Sequence, residues 1–129
     1  MSQFFVKGIP TKRRPRFTRN GHAYTDQKTT AEMKEIAQKY KGEKLLGCVS
    51  VEVDIYPKMP KGTPKKLNNI PAMKKPDIDN VLKIVMDALN GIAYDDDKQV
   101  TYTRVERHPM QRIEWDYIIV TVKPVERKL

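Results

Sequence analysis

The sequence predicts a small α+β domain in which two helices pack on one mixed sheet, in the order β-α-β-α-β-β. Three observations predict it. Residues 45–56 alternate Val49, Val51, Val53 and Ile55 with Ser50, Glu52, Asp54 and Tyr56, the period of a half-buried strand. Two stretches, one from Met33 to Tyr40 and one from Val81 to Leu89, carry apolar residues at helical spacing. Two β-rich runs, Gln99 to Arg107 and Ile113 to Lys123, close the chain. A length of 129 residues with 39% hydrophobic residues suits one core without staples, so residues 1–129 are expected to form a single domain.

Taken in order, residues 3–9 read as a short strand, and the Pro, Arg and Gly residues that follow, to about Gln27, as an aperiodic loop. Thr29 with Glu32 three positions later has the form of a capping box. Met33, Ile36, Ala37 and Tyr40 then make the buried stripe, and Gly42 is a natural stop. After the strand, Pro57, Pro60, Pro64, Pro71 and Pro76 forbid regular structure, predicting an exposed loop over residues 57–76. Asp77 or Asp79 can cap the second helix, which ends at Asn90-Gly91. Pro109 falls between the last two runs and predicts an antiparallel hairpin. Cys48, Trp115 and Tyr117 read as core, and His22 and His108 as surface or loop residues.

Charge narrows the function. With 25 Lys+Arg against 16 Asp+Glu the net charge is +9, which suits an anionic partner, nucleic acid before a membrane surface. No apolar run approaches the roughly 18 residues of a spanning helix, and no secretory signal is expected at the start. One cysteine and two histidines make an internal disulfide impossible and a closed zinc site unfavourable, so a reducing compartment is expected. The excess is uneven. Residues 1–20 hold Lys7, Lys12, Arg13, Arg14, Arg16 and Arg19 without an acid, and residues 57–76 hold Lys58, Lys61, Lys65, Lys66, Lys74 and Lys75 without one. Between residues 77 and 97 the sign reverses: Asp77, Asp79, Asp87, Asp95, Asp96 and Asp97 face the single base Lys83.

Carboxylates repel phosphate, so a protein that only coats an anionic polymer gains nothing from such a segment. A protein that holds a divalent cation against phosphate needs both signs. Asp77 and Asp79 sit at the mouth of a helix roughly 18 Å long and the run Asp95 to Asp97 follows its far end, so convergence requires the chain to double back along the helix or to enter a strand adjacent to the helix start. Three carboxylates without His or Cys would make an all-oxygen site for Mg²⁺, with Mn²⁺ as a substitute. Lys83, four residues after Asp79, shares its helical face and could stabilise charge developing on a phosphodiester. The plainer readings are two helix caps, a solvated turn and a helix-surface lysine. They leave unexplained why all three fall in the one acidic segment of a basic chain. An EF-hand loop is excluded, because counting from Asp77 places Leu82 at the glycine position and Ala88 at the bidentate glutamate. Arg13, Arg14 and Arg16 beside Phe17 have the composition that contacts phosphates and unstacked bases.

The run Lys75-Pro76-Asp77-Ile78-Asp79-Asn80-Val81-Leu82-Lys83, then Asp87-Ala88-Leu89-Asn90-Gly91, then Asp96-Asp97-Lys98-Gln99-Val100, resembles the signature of the RusA family of Holliday junction resolvases. Gly8-Ile9-Pro10 through Arg14-Pro15-Arg16-Phe17, with Gly21 and Tyr24, is similar to the family's opening, so the resemblance spans about residues 6–105. It implies a homodimeric, Mg²⁺-dependent endodeoxyribonuclease of the bacterial or prophage cytoplasm that makes paired nicks in four-way junctions during recombination and repair. By the motif, Asp77, Asp79 and Asp97 correspond to the metal-binding catalytic aspartates and Lys83 to the catalytic lysine. Asp95 makes a triple where the motif has a pair, so Asp97 is chosen by its offset from Gln99-Val100, and Asp96 stays a candidate ligand. Lys12, Arg13, Arg14, Arg16, Lys65, Lys66, Lys74 and Lys75 are the expected DNA contacts. A junction needs two cuts related by a two-fold axis, which a C2 dimer supplies. The competing functions are a non-catalytic nucleic-acid-binding module and a nuclease acting on flaps or other branched DNA.

Overall fold

In the computed structural model, which describes residues 1–13, 15–67 and 76–125, the alternating segment forms β4 (Val49–Tyr56). Val49, Val51, Val53 and Ile55 are fully buried. β4 is paired along both edges, antiparallel to β6 (Tyr117–Pro124) and parallel to β5 (Val100–Arg107). β1 (Ser2–Lys7) adds antiparallel to the outer edge of β6, giving the order β1-β6-β4-β5. The last two strands are therefore not the hairpin that Pro109 suggested, because β4 lies between them. The reason lies upstream. A strand followed by a twelve-residue helix has the length of a crossover, and a crossover delivers the next strand parallel to the first.

α1 (Gln27–Lys39) and α2 (Ile78–Leu89) supply the other half of the core. Val81, Ile84, Val85, Ala88 and Leu89 of α2, with Ile36 of α1, cluster with the inward residues of β4 and with Ile118, Val120 and Val122 of β6. α1 does not begin at Thr29. Asp26 is its N-cap, accepting from the N–H groups of Lys28 and Thr29 at 3.1 and 3.3 Å. Thr29 is buried and its Oγ1 accepts from the Arg13 N–H, while Glu32 pairs with the Arg13 guanidinium, so both halves of the expected capping box serve the N-terminal arm. Past the helix end, Gly42 lies against the Ser2 side chain and the Tyr40 ring, where a Cβ would not fit.

The segment between β1 and α1 is not wholly irregular. It contains a ribbon of β2 (Arg16–Phe17) and β3 (Ala23–Tyr24), turned with Gly21 at φ 81°, too short to leave a period in the sequence. The described part of residues 57–76 is also more ordered than an exposed loop. Pro57 and Met59 are buried, the Met59 N–H donates to the Gln111 carbonyl at 2.7 Å, and Lys65–Leu67 form a 3-10 turn. Cys48, expected in the core, is exposed just ahead of β4. Among the described residues no helix is long and apolar enough to cross a membrane.

Because Ile84 is fully buried between α2 and the sheet, Ile84→Ala should lower the unfolding free energy in urea by about 2–5 kcal/mol. Ile78→Ala, on the exposed first turn of the same helix, should change it by less than about 0.5 kcal/mol. Equal losses at the two positions would contradict the assignment of the helix's inner face.

Candidate functional site

The β4-α2-β5 crossover lays α2 antiparallel to its two strands. At one end of the sheet the Arg107 side chain, closing β5, donates to the carbonyl of Pro76 just ahead of α2. At the other end the Leu45 N–H donates to the Ala93 carbonyl at 2.7 Å, and Gln99 Nε2 donates to the carbonyls of Leu45 and Gly47 at 3.1 and 3.0 Å. Asp77 and Asp79 thus stand at one end of a helix about 18 Å long, and Asp97 lies beyond the other. The convergence expected of these three is not found within one chain. Among the described residues, the potential ligands that come within 4.8 Å of one another in a group of three are Asp54, Glu106 and His108.

The six acids of the segment divide by partner. Asp87 pairs with Lys12 at 2.7 Å, and Asp95 with Lys44 at 3.1 Å. Asp96 caps the 3-10 turn Asp97–Gln99, its carboxylate accepting from the Lys98 N–H at 2.9 Å, while Gln99 Oε1 accepts from the Asp95 and Asp96 N–H groups. The Lys98 N–H and then a contact with Asp97 hold the Asp96 carboxyl below the usual range. Asp77, Asp79 and Asp97 make no ion pair among the described residues. Asp77 occupies the N-cap of α2 but makes no side-chain capping bond. The plain capping explanation therefore does not use its carboxylate.

Lys83 lies one turn after Asp79, on the edge of α2 opposite Val81, Val85 and Ala88. It is exposed and, among the described residues, pairs with no carboxylate, because Asp87 is taken by Lys12. Lys12 is itself held by its N–H, which donates to the Asn80 carbonyl at 3.2 Å. Tyr94 ties the last turn of α2 to the segment that follows it. Fully buried, it donates from its hydroxyl to the Met86 carbonyl at 2.8 Å. Burial first, then the charges of Asp97 and Asp87, push its phenol well up.

Of the expected DNA contacts, Lys65 and Lys66 are exposed on their 3-10 turn. Arg13 turns inward to Glu32 and the Thr11 carbonyl, and Arg16 pairs with Asp26 at 2.8 Å. Arg14, Lys74 and Lys75 lie outside the described residues.

The Asp54 group was invisible in the sequence because its members meet only through the β4–β5 register, which sets Glu52 against Arg104 and Asp54 against Glu106. Arg104 already occupies it. Its guanidinium donates to both Asp54 oxygens, at 2.9–3.1 Å, and to Glu106 at 3.2 Å, while His108 Nε2 lies 2.8 Å from Asp54. Burial pushes the Asp54 carboxyl up, but the hydrogen bonds and charges of Arg104 and His108 outweigh it and hold the group below the usual range. An arginine bound to the central carboxylate makes this an ion-pair network and a poor cation site. His108 is also half-buried and stacked on Tyr56 at 4.4 Å, not a free loop residue.

The chain matches the family Endodeoxyribonuclease RusA over residues 7–122 of its 129. It is also 35% identical over 121 residues to an uncharacterized protein of Bacillus subtilis (strain 168), YqaN, covering 81% of this chain and 85% of that one. It belongs to the RusA endodeoxyribonuclease family, whose members act on branched DNA junctions.

Asp54 is depressed in the fold, so it contributes stability above the ordinary aspartate value near 4, lost as pH falls through the folded-state value. Urea midpoints measured from about pH 5 down to pH 2 should fall, and Asp54→Asn should flatten part of that fall. A slope unchanged by the substitution would contradict the assignment.

Proposed function

We propose that this protein is a homodimeric, divalent-cation-dependent endonuclease that nicks four-way DNA junctions in symmetric pairs, in recombination and repair. Family membership supplies the nuclease class. The observation that carries the rest is the division of the acids: Asp87, Asp95 and Asp96 have structural partners, whereas among the described residues Asp77, Asp79 and Asp97 have no ion pair and Lys83 stands exposed beside Asp79. Their donor chemistry, three carboxylates, fits Mg²⁺ or Mn²⁺. When bound there, such a cation supplies charge neutralisation at the scissile phosphate and lowers the pKa of the attacking water. The chain's own part is to hold the ligands and to set the Lys83 side chain where negative charge grows on the phosphate.

Within one chain the ligands are split between the two ends of α2, which supports a site completed by a second copy. Two α2 helices placed antiparallel about a two-fold axis near Lys83 would bring the Asp77–Asp79 end of each opposite the Asp97 end of the other. One dimer then holds two equivalent sites, as paired nicking requires. Lys65, Lys66 and the other basic residues of both arms would hold the backbone, with affinity that falls steeply as salt rises.

Asp79→Asn should abolish cleavage of a synthetic four-way junction in Mg²⁺ while leaving junction binding intact or tighter. Chelating the cation from the unaltered protein should have the same effect. Retained cleavage in either case overturns the assignment, and cleavage of flaps in preference to junctions would move it to another branched substrate.

A further inference from the structure

The face of the sheet turned away from the helices carries a row of rings that the nuclease site does not use. Phe5 of β1, Tyr117 of β6, Tyr56 of β4 and His108 after β5 follow one another across the strands, with centroids 5.2, 4.8 and 4.4 Å apart, the last two pairs stacked. Trp115, expected in the core, is 40% exposed just before β6, and Phe5 is 43% exposed. With Ile113 and Tyr117 they line an apolar notch of about 420 Å³, whose one carboxylate is Glu114. Through Ile113 and Glu114 the notch continues into a cleft of about 480 Å³ that carries Lys58, Lys61 and Arg112. Lys7 sits over the Trp115 ring, its Nζ 4.5 Å from the centroid. Arg112 is held in place by donating to the Thr63 carbonyl at 2.8 Å. All of this lies at the end of the sheet where Pro76 leads into α2.

We propose that this notch is a docking site for an unstacked nucleobase of single-stranded or branched DNA, with Trp115, Phe5 and Tyr117 as stacking walls and Lys58, Lys61 and Arg112 on the phosphates. The proposal rests on the reading of the chain as a DNA endonuclease and goes beyond it, since cleavage chemistry requires no such platform. Charge decides the occupant. An apolar peptide or the flat face of a second subunit would use the rings and gain nothing from three cations along the adjoining cleft. A base carries its own phosphates and uses both.

Trp115 is the single tryptophan of the chain, so its emission reports on the notch directly. The full-length protein is titrated in chelator, which blocks cleavage, with a thymidine oligomer and with a blunt duplex of equal length, following tryptophan emission and the anisotropy of a label on the DNA. Quenching by the oligomer exceeding that by the duplex is expected. Trp115→Ala should weaken oligomer binding roughly 5- to 100-fold, with most of it restored in Trp115→Phe. The measurement on the unaltered protein stands even if the alanine variant does not fold. Oligomer binding seen by anisotropy without a change in Trp115 emission overturns the proposal and leaves the endonuclease reading intact. An emission shift that follows protein concentration without DNA assigns the face to a second copy and also overturns it. Absence of any DNA binding overturns both.

Discussion

The pairing of β4 along both of its edges is the constraint from which the site's geometry follows. β6 pairs antiparallel on one side and β5 parallel on the other; a parallel neighbour has to arrive by crossover, and α2 is that crossover. Its inner face is fixed by Val81, Ile84, Val85, Ala88 and Leu89 against the sheet. Its direction is fixed by the need to return the chain to the start of β5. Asp77 and Asp79 then lie at one end of the sheet and Asp97 at the other, with a helix about 18 Å long between them.

Burying the apolar face also decides which charges are available. The N-terminal arm is tied down by Lys12 to Asp87, Arg13 to Glu32 and Arg16 to Asp26, so part of the basic excess serves the fold. The same ties consume acids that would otherwise crowd the site. What remains among the described residues along the outer edge of α2 and past its end is a small set of carboxylates with the exposed Lys83 and Lys98. On the reading as a nuclease, that remainder is the site, and the arm's ion pairs keep neighbouring charges from competing with it.

Much of this was legible in the sequence, for reasons that differ by element. β4 and α2 were legible because a half-buried strand and an amphipathic helix write their periods directly into the order of Val, Ile and Leu. The β2–β3 ribbon, two residues a side, is too short to write any period. The start of α1 was misplaced because Thr29 and Glu32 satisfy the local capping rule, while the competing partner, Arg13, is distant in sequence. The hairpin was misread because a proline between two strands is compatible with a turn and with a connection that passes the end of a third strand. Asp77, Asp79, Lys83 and Asp97 were legible as an unusual set of residues. Their separation was not, since it depends on strand order. The Asp54–Arg104 network and the row from Phe5 to His108 depend entirely on register across four strands, and no local signal marks them.

Mixing two inactive chains tests the divided site most directly. A dimer of one Asp79→Asn chain and one Asp97→Asn chain, isolated with different tags, carries both defects in one site and none in the other if each site draws Asp79 from one copy and Asp97 from its partner. The expected result is recovered nicking of a single strand of a four-way junction in Mg²⁺, with each parent homodimer inactive. If the isolated mixed dimer is as inactive as its parents, the two ends of α2 do not combine across copies, and the site has been assembled wrongly.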